Sequence, residues 1–107
     1  MAEIRQLTPP ELKELIESGA SFQLVDVRTE EERAVARLAG SRLLDRSYYE
    51  ELLLMDRHTP IVFQCHHGIR SQQAAEHFRH EGFSNLSNLE GGIDAWSRLV
   101  DGSVPRY

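Results

Sequence analysis

Short apolar runs rich in strand-forming residues alternate along this chain with stretches of helical periodicity, and that alternation constrains the fold more than any other feature. Phe22 to Val27 (FQLVDV) is apolar enough to fit a strand covered on both faces. Ile61 to Phe63 is a second β-favouring run that stops at Cys65, and Phe83 to Leu89 contains a third. Ser41 to Leu44 is short enough to be a minor strand. Helical patterns fill the intervals. Thr8, Pro9, Pro10 and Glu11 form a start signal, with a hydroxyl N-cap, proline in the first turn and a carboxylate at N3; Leu12, Leu15 and Ile16 then share one face, and Gly19 supplies the stop. Thr29 and Glu32 repeat the capping-box spacing and predict a helix over about residues 30–37 that ends before Gly40. Ser47 opens a third helix, broken by DRHTP at Asp56 to Pro60. Ser71 to Gly82 and Gly91 to Val100 complete the set, the last with Ile93, Trp96 and Val100 at helical spacing. This order predicts an α/β fold, a central parallel β-sheet with α-helices on both faces.

The 107 residues suffice for one modest core and leave no room for a second, so residues 1–107 are expected to form a single domain. The longest uninterrupted apolar run, Leu52 to Met55, is far shorter than the roughly 18 to 20 residues that cross a bilayer. The N-terminus carries acidic residues and helix-start chemistry where a signal peptide has a basic and then an apolar segment. A cytoplasmic protein without membrane contact is expected. A net charge of -5 gives no general attraction to nucleic acid, and an anionic substrate needs a local positive site. Cys65 is the one cysteine, which excludes an intramolecular disulfide and a multi-cysteine zinc site.

Ligands of open α/β sheets gather beyond the carboxyl ends of the strands, where helix N-termini present unpaired backbone N–H groups. Cys65 stands at such a place, and the spacing predicts a six-residue loop, Cys65, His66, His67, Gly68, Ile69 and Arg70, ahead of a helix that opens at Ser71. Gly68 allows successive amides to curl around one point, which favours an anion and favours the Cys65 thiolate over its thiol. Arg70 adds a permanent charge nearby. A lone cysteine after an apolar run is as a rule a small buried hydrophobe; strand, cysteine, glycine-containing loop, arginine and helix in that order point instead to a nucleophile. His66 and His67 are adjacent and so make a poor metal site, and no metal is expected. His77 and His80 share a helix face and read as a surface pair. Arg28 either contacts substrate or holds an acidic partner in the Glu30 to Glu32 run, with the structural role preferred. Asp26 reads as a tie between loops rather than a base, and Trp96 as core.

These segments taken together resemble the rhodanese domain: LVDVRTEEE at Leu24 to Glu32, CHHGIRS at Cys65 to Ser71, NLEGGIDAW at Asn88 to Trp96, and the final VPRY. The likeness covers almost the whole chain, and it is the order and spacing of the segments that make it specific. One stretch departs. Where that family usually has a Gly-His-Ile-Pro-Gly-Ala type segment, this chain has Ala36, Arg37, Leu38, Ala39, Gly40 and Ser41, with Arg37 in place of the histidine. The resemblance implies a sulfurtransferase: Cys65 carries sulfane sulfur as a persulfide, and His66, His67, Gly68, Ile69, Arg70 and Ser71 bind the substrate, with Asp26 and Arg28 in support. The donor is thiosulfate or a persulfide, the acceptor cyanide or a thiol, and no cofactor is needed. Two other readings share the chemistry of a cysteine loop. One is a delivery module that takes sulfur from a cysteine desulfurase and passes it to a sulfur-carrier protein. The other is a phosphatase or arsenate reductase, against which the Cys-x4-Arg spacing of Cys65 and Arg70 stands, since such enzymes resemble Cys-x5-Arg. A catalytically silent binding domain is a further alternative, opposed by the retention of Cys65 and Arg70.

Overall fold

The computed structural model describes residues 2–107. In chain order the elements are β1 (Ile4–Leu7), α1 (Pro9–Glu17), β2 (Gln23–Asp26), α2 (Glu30–Val35), β3 (Arg42–Leu43), α3 (Arg46–Leu53), β4 (Ile61–Gln64), α4 (Ile69–His80), β5 (Leu86–Leu89) and α5 (Gly92–Leu99). The strands make one five-stranded sheet in the order β1-β5-β4-β2-β3, and every pairing is parallel. The α/β architecture read from the alternation is the one observed.

Alternation of side chains divides the core in two. Val25, Ile61, Phe63 and Leu86 face α3 and α4, where Tyr48, Leu52, Ala75 and Phe78 meet them. Leu24, Val62 and Leu89 face the other way, onto Leu12 of α1, Ile93 of α5 and the segment bearing Ala36 and Leu38. Trp96 lies half-buried against this second cluster. The middle strand β4 is therefore buried on both faces along its whole length, and whatever follows it emerges at the centre of the carboxyl edge. His77 and His80 are exposed, as expected of a surface pair. Among the described residues no helix is long and apolar enough to cross a membrane.

Both capping boxes form, Thr8 with Glu11 and Thr29 with Glu32. Other boundaries differ from the sequence reading for local reasons. Strand β1 had no counterpart there: it lies at the sheet edge with Arg5 and Gln6 exposed, so it lacks an apolar run. Helix α2 stops at Val35 because Ala36 turns extended, at φ -159°, and its carbonyl accepts a hydrogen bond from Arg28 Nη2 at 2.7 Å. Helix α3 begins at Arg46, since Asp45 caps it by accepting from the Tyr48 N–H. Helix α4 begins at Ile69 rather than Ser71, with Gly68 as its left-handed N-cap. The expected six-residue loop is thus shortened to Cys65–Gly68, and Arg70 belongs to the first turn of the helix.

Candidate active site

Cys65 leaves the buried strand β4 and the chain turns at once into α4. Gly68 makes the turn at φ +97°, a conformation that other residues avoid, and a Cβ there would come within 3.3 Å of both the Leu89 carbonyl oxygen and the Gly91 nitrogen. The turn aims N–H groups inward. Cys65 Sγ accepts hydrogen bonds from the Gly68 N–H at 3.0 Å, the Ser71 N–H at 3.4 Å and the Ser71 hydroxyl at 3.3 Å. Asn88, at the end of β5, braces the loop: its Nδ2 donates to the Gly68 carbonyl at 3.0 Å, and its Oδ1 accepts from the Ser71 hydroxyl at 2.5 Å. That hydroxyl has one proton for two acceptors, so the backbone N–H groups are the constant donors to sulfur. On the other side of the loop the first turn of α5 holds its carbonyls, with the Ile93 N–H donating to Cys65 O at 2.8 Å and the Asp94 N–H to His66 O at 3.1 Å. Carbonyls are fastened outward and amides point at Sγ.

The electrostatic outcome is a balance. Burial pushes the Cys65 thiol up most strongly, but the hydrogen bonds from Ser71, Gly68 and His67 together outweigh it and leave the thiol below its ordinary value. The arrangement therefore favours a thiolate in a buried site, which a merely space-filling cysteine does not require.

The remaining candidates from the sequence fall into distinct places. Ser71 is buried under the sulfur, while His67 and Ile69 are exposed at the rim. The His66 ring is stacked between His67, with centroids 3.9 Å apart, and Tyr107, at 3.8 Å and 9°. Arg70 is beside the site, but its guanidinium forks onto Glu32, with Nη1 to Oε1 at 2.7 Å and Nη2 to Oε2 at 2.9 Å. Asp26 and Arg28 form a fully buried ion pair at 2.8 Å, joined by Arg33 at 2.8 Å. Arg28 thus holds an acidic partner, as preferred, but the partner is Asp26 rather than a carboxylate of the Glu30 to Glu32 run. His66, His67 and Asp94 bring ligand-capable atoms within 4.8 Å of one another, closer than adjacency in sequence suggested. The Asp94 carboxylate is taken by Arg106 at 2.9 Å and Arg98 at 3.2 Å, and two positive charges there oppose a cation.

Sequence reasoning missed the second role of Glu32, the brace of Asn88 and the contact made by Gly92. Glu32 carried a signal only as a helix cap. The tail, which lacks periodicity, lies against the surface: Tyr107 OH donates to Glu32 Oε2 at 2.7 Å and accepts from Arg28 Nη1 at 2.9 Å.

Burial of Asp26 carries a stability prediction. Desolvation pushes its carboxyl up, but hydrogen bonds from Arg28 and Arg33 outweigh this and hold it below the usual range. A carboxylate whose folded-state value is depressed contributes stability above its unfolded value, about pH 4, and loses it as the pH falls through the lower folded-state value. Asp26→Asn removes the charge opposite buried Arg28 and is expected to cost about 3 kcal/mol in urea unfolding at pH 7. It should also flatten the acid limb of the wild-type stability curve below about pH 4. Equal stabilities of variant and wild type at pH 7 would refute this role.

Residues 8–99 match the family described as the rhodanese-like domain. The thiosulfate sulfurtransferase GlpE of Pseudomonas aeruginosa is 37% identical over 93 residues, which span 86% of this chain and 83% of that protein. Among solved structures, a rhodanese-like domain protein of Staphylococcus aureus superposes with a TM-score of 0.76 at 27% identity, covering 97% of this chain and 99% of that one. The human single-domain sulfurtransferase TSTD1 gives a TM-score of 0.74 at 27% identity, over 91% and 98% of the two chains.

Proposed function

We propose, from the premise that this chain belongs to the rhodanese-like domain family, that it is a thiosulfate sulfurtransferase with Cys65 as the sulfur carrier. The observation that carries the reading is the set of backbone N–H groups from Gly68 and Ser71 converging on Cys65 Sγ, with the thiol held below its ordinary value. The Cys65 thiolate attacks the outer sulfur of thiosulfate. A new S–S bond forms, the S–S bond of the donor breaks, and its electron pair leaves with sulfite. The enzyme is left as a Cys65 persulfide anion. An acceptor nucleophile such as cyanide or a thiolate then attacks the terminal sulfur, and the electron pair of the enzyme's S–S bond returns to Sγ.

The loop suits one added atom. Cys65 is 1% exposed, so a donor must present its outer sulfur end-on. The first N–H groups of a helix have no carbonyl partner within it, and those of Ile69 and Arg70, at the start of α4, are available for the terminal sulfur of the persulfide. Such preorganised donors act on the persulfide charge as an oxyanion hole acts on oxygen. In the cell, the persulfide of a cysteine desulfurase is an equivalent donor and a sulfur-carrier protein an equivalent acceptor, since both offer a single reacting sulfur centre. A reducing compartment suits the cycle because Cys65 has to return to the thiolate, and we place the reaction in the cytoplasm.

Intact mass after incubation with thiosulfate tests the reading. One added sulfur atom, mapped to Cys65 and removed by cyanide, is expected; an unmodified chain would overturn it.

A further inference from the structure

We propose that Glu32 sets the donor specificity of this site: by neutralising Arg70 it withdraws the guanidinium beside the Cys65 loop as an anion attractor, so that a dianionic donor gains no advantage from Arg70 over donors of lower charge. The inference rests on the sulfurtransferase reading and adds to it which donors the site prefers.

A guanidinium placed at the first turn of α4, beside an anionic nucleophile, is the natural attractor for thiosulfate. Here it is already occupied. Both Arg70 nitrogens that form the fork are engaged by the two Glu32 oxygens, a geometry in which carboxylate and guanidinium satisfy one another. The Arg70 guanidinium, through this pairing, lowers the Glu32 carboxyl, so that Glu32 is charged throughout the working range; the Cys65 sulfur also acts on Arg70, which places that charge within electrostatic reach of the nucleophile.

Glu32 is itself fastened. Its Oε1 accepts from the Thr29 N–H at 3.1 Å, which is the capping box, and its Oε2 accepts from Tyr107 OH at 2.7 Å. Tyr107 in turn is stacked on His66 of the sulfur loop and tied to Arg28. The carboxylate cannot swing away from Arg70 without breaking several contacts at once. The neighbouring arginines are a constant background: Arg28 and Arg33 share the Asp26 carboxylate and Arg98 and Arg106 share that of Asp94, so each group carries one excess positive charge that changes at Glu32 and Arg70 leave in place. Arg70 therefore adds no charge of its own to meet a dianion that approaches the Cys65 thiolate, and it is this contribution that changes at Glu32 or Arg70 alter.

Two donors separate charge from size. Thiosulfate is a dianion; methanethiosulfonate replaces one of its oxyanions by a methyl group and is a monoanion. Each gives the same Cys65 persulfide. With thiosulfate the attack of Sγ on the outer sulfur expels sulfite, and with methanethiosulfonate it expels methanesulfinate, the bonding pair leaving with the departing sulfur in both cases. The readout is the ratio of kcat/KM for thiosulfate to that for methanethiosulfonate. Glu32→Gln keeps an oxygen for the Thr29 N–H and removes the charge, and it should raise the ratio by about 10-fold. Arg70→Ala should lower it, since Glu32 is then an unpaired anion at the mouth. The double variant should return close to the wild-type ratio.

A role confined to packing would shift both donors alike and leave the ratio unchanged in Glu32→Gln, which would overturn the proposal. Failure of both donors to form a persulfide in the wild type would overturn the sulfurtransferase reading instead. Should Glu32→Gln not fold, the double variant decides: a ratio equal to that of the wild type is expected where Arg70 is neutralised, and a clear fall would show that Arg70 attracts the dianion in the wild type and would overturn the proposal.

Discussion

Cys65→Ser is expected to abolish sulfur transfer from thiosulfate to cyanide, leaving at most about one per cent of the wild-type rate, because a hydroxyl is a far weaker nucleophile at neutral pH and forms no persulfide. The change is nearly isosteric. Serine at this position still offers an acceptor to the Gly68 and Ser71 N–H groups that now point at sulfur, so the loop has little reason to rearrange and circular dichroism should match the wild type. Loss of activity with an intact fold assigns the chemistry to one atom. Since Cys65 is the lone cysteine, activity above about one per cent in a folded variant would show that transfer does not pass through a cysteine persulfide of this chain.

The thiol itself was legible in the sequence because every feature that positions it is local. A buried run ends at Cys65, Gly68 turns the chain, and the next helix begins within four residues of the cysteine. Both capping boxes were legible for the same reason: their partners lie three residues apart. What escaped was everything that depends on the chain meeting itself from far away. Strand β1 is defined by its pairing with β5, where Ile4 sits opposite Leu86, and in isolation IRQL has neither the length nor the alternation of a strand. The fork between Glu32 and Arg70 joins residues 38 apart in sequence, and the contact of Tyr107 with Glu32 spans 75. Arg70 looked like a free charge because its spacing from Cys65 says nothing of what stands on the opposite helix. The family resemblance supplied the reaction, but it did not indicate that the guanidinium is neutralised.

Gly92 shows how such a distant contact controls the site, and Gly92→Ala is expected to damage both fold and chemistry. Its φ of +63° is a conformation that a residue with a Cβ rarely adopts, and a Cβ built there lies 2.5 Å from the Cys65 carbonyl oxygen and against the His66 carbonyl as well. Both obstacles are backbone, which has no rotamer through which to yield. Relief requires α5 to back away from the loop. That movement would break the hydrogen bonds from the Ile93 N–H to Cys65 O and from the Asp94 N–H to His66 O, which fasten the loop carbonyls outward. With the carbonyls released, the amides lose their common aim, and the thiol should rise toward its ordinary value. Strain at a left-handed position and overpacking in a buried contact each cost about 1 to 3 kcal/mol, so a loss of about 3 kcal/mol or more is expected in urea unfolding. Sulfur transfer should fall by at least about 10²-fold, the scale for losing a preorganised donor, and alkylation of Cys65 should need a higher pH. Gly102→Ala, where an added Cβ meets nothing within 4 Å, is the control and should leave all three measurements unchanged. A Gly92→Ala protein with wild-type stability and a wild-type pH profile for alkylation would show that α5 does not hold the sulfur loop in place.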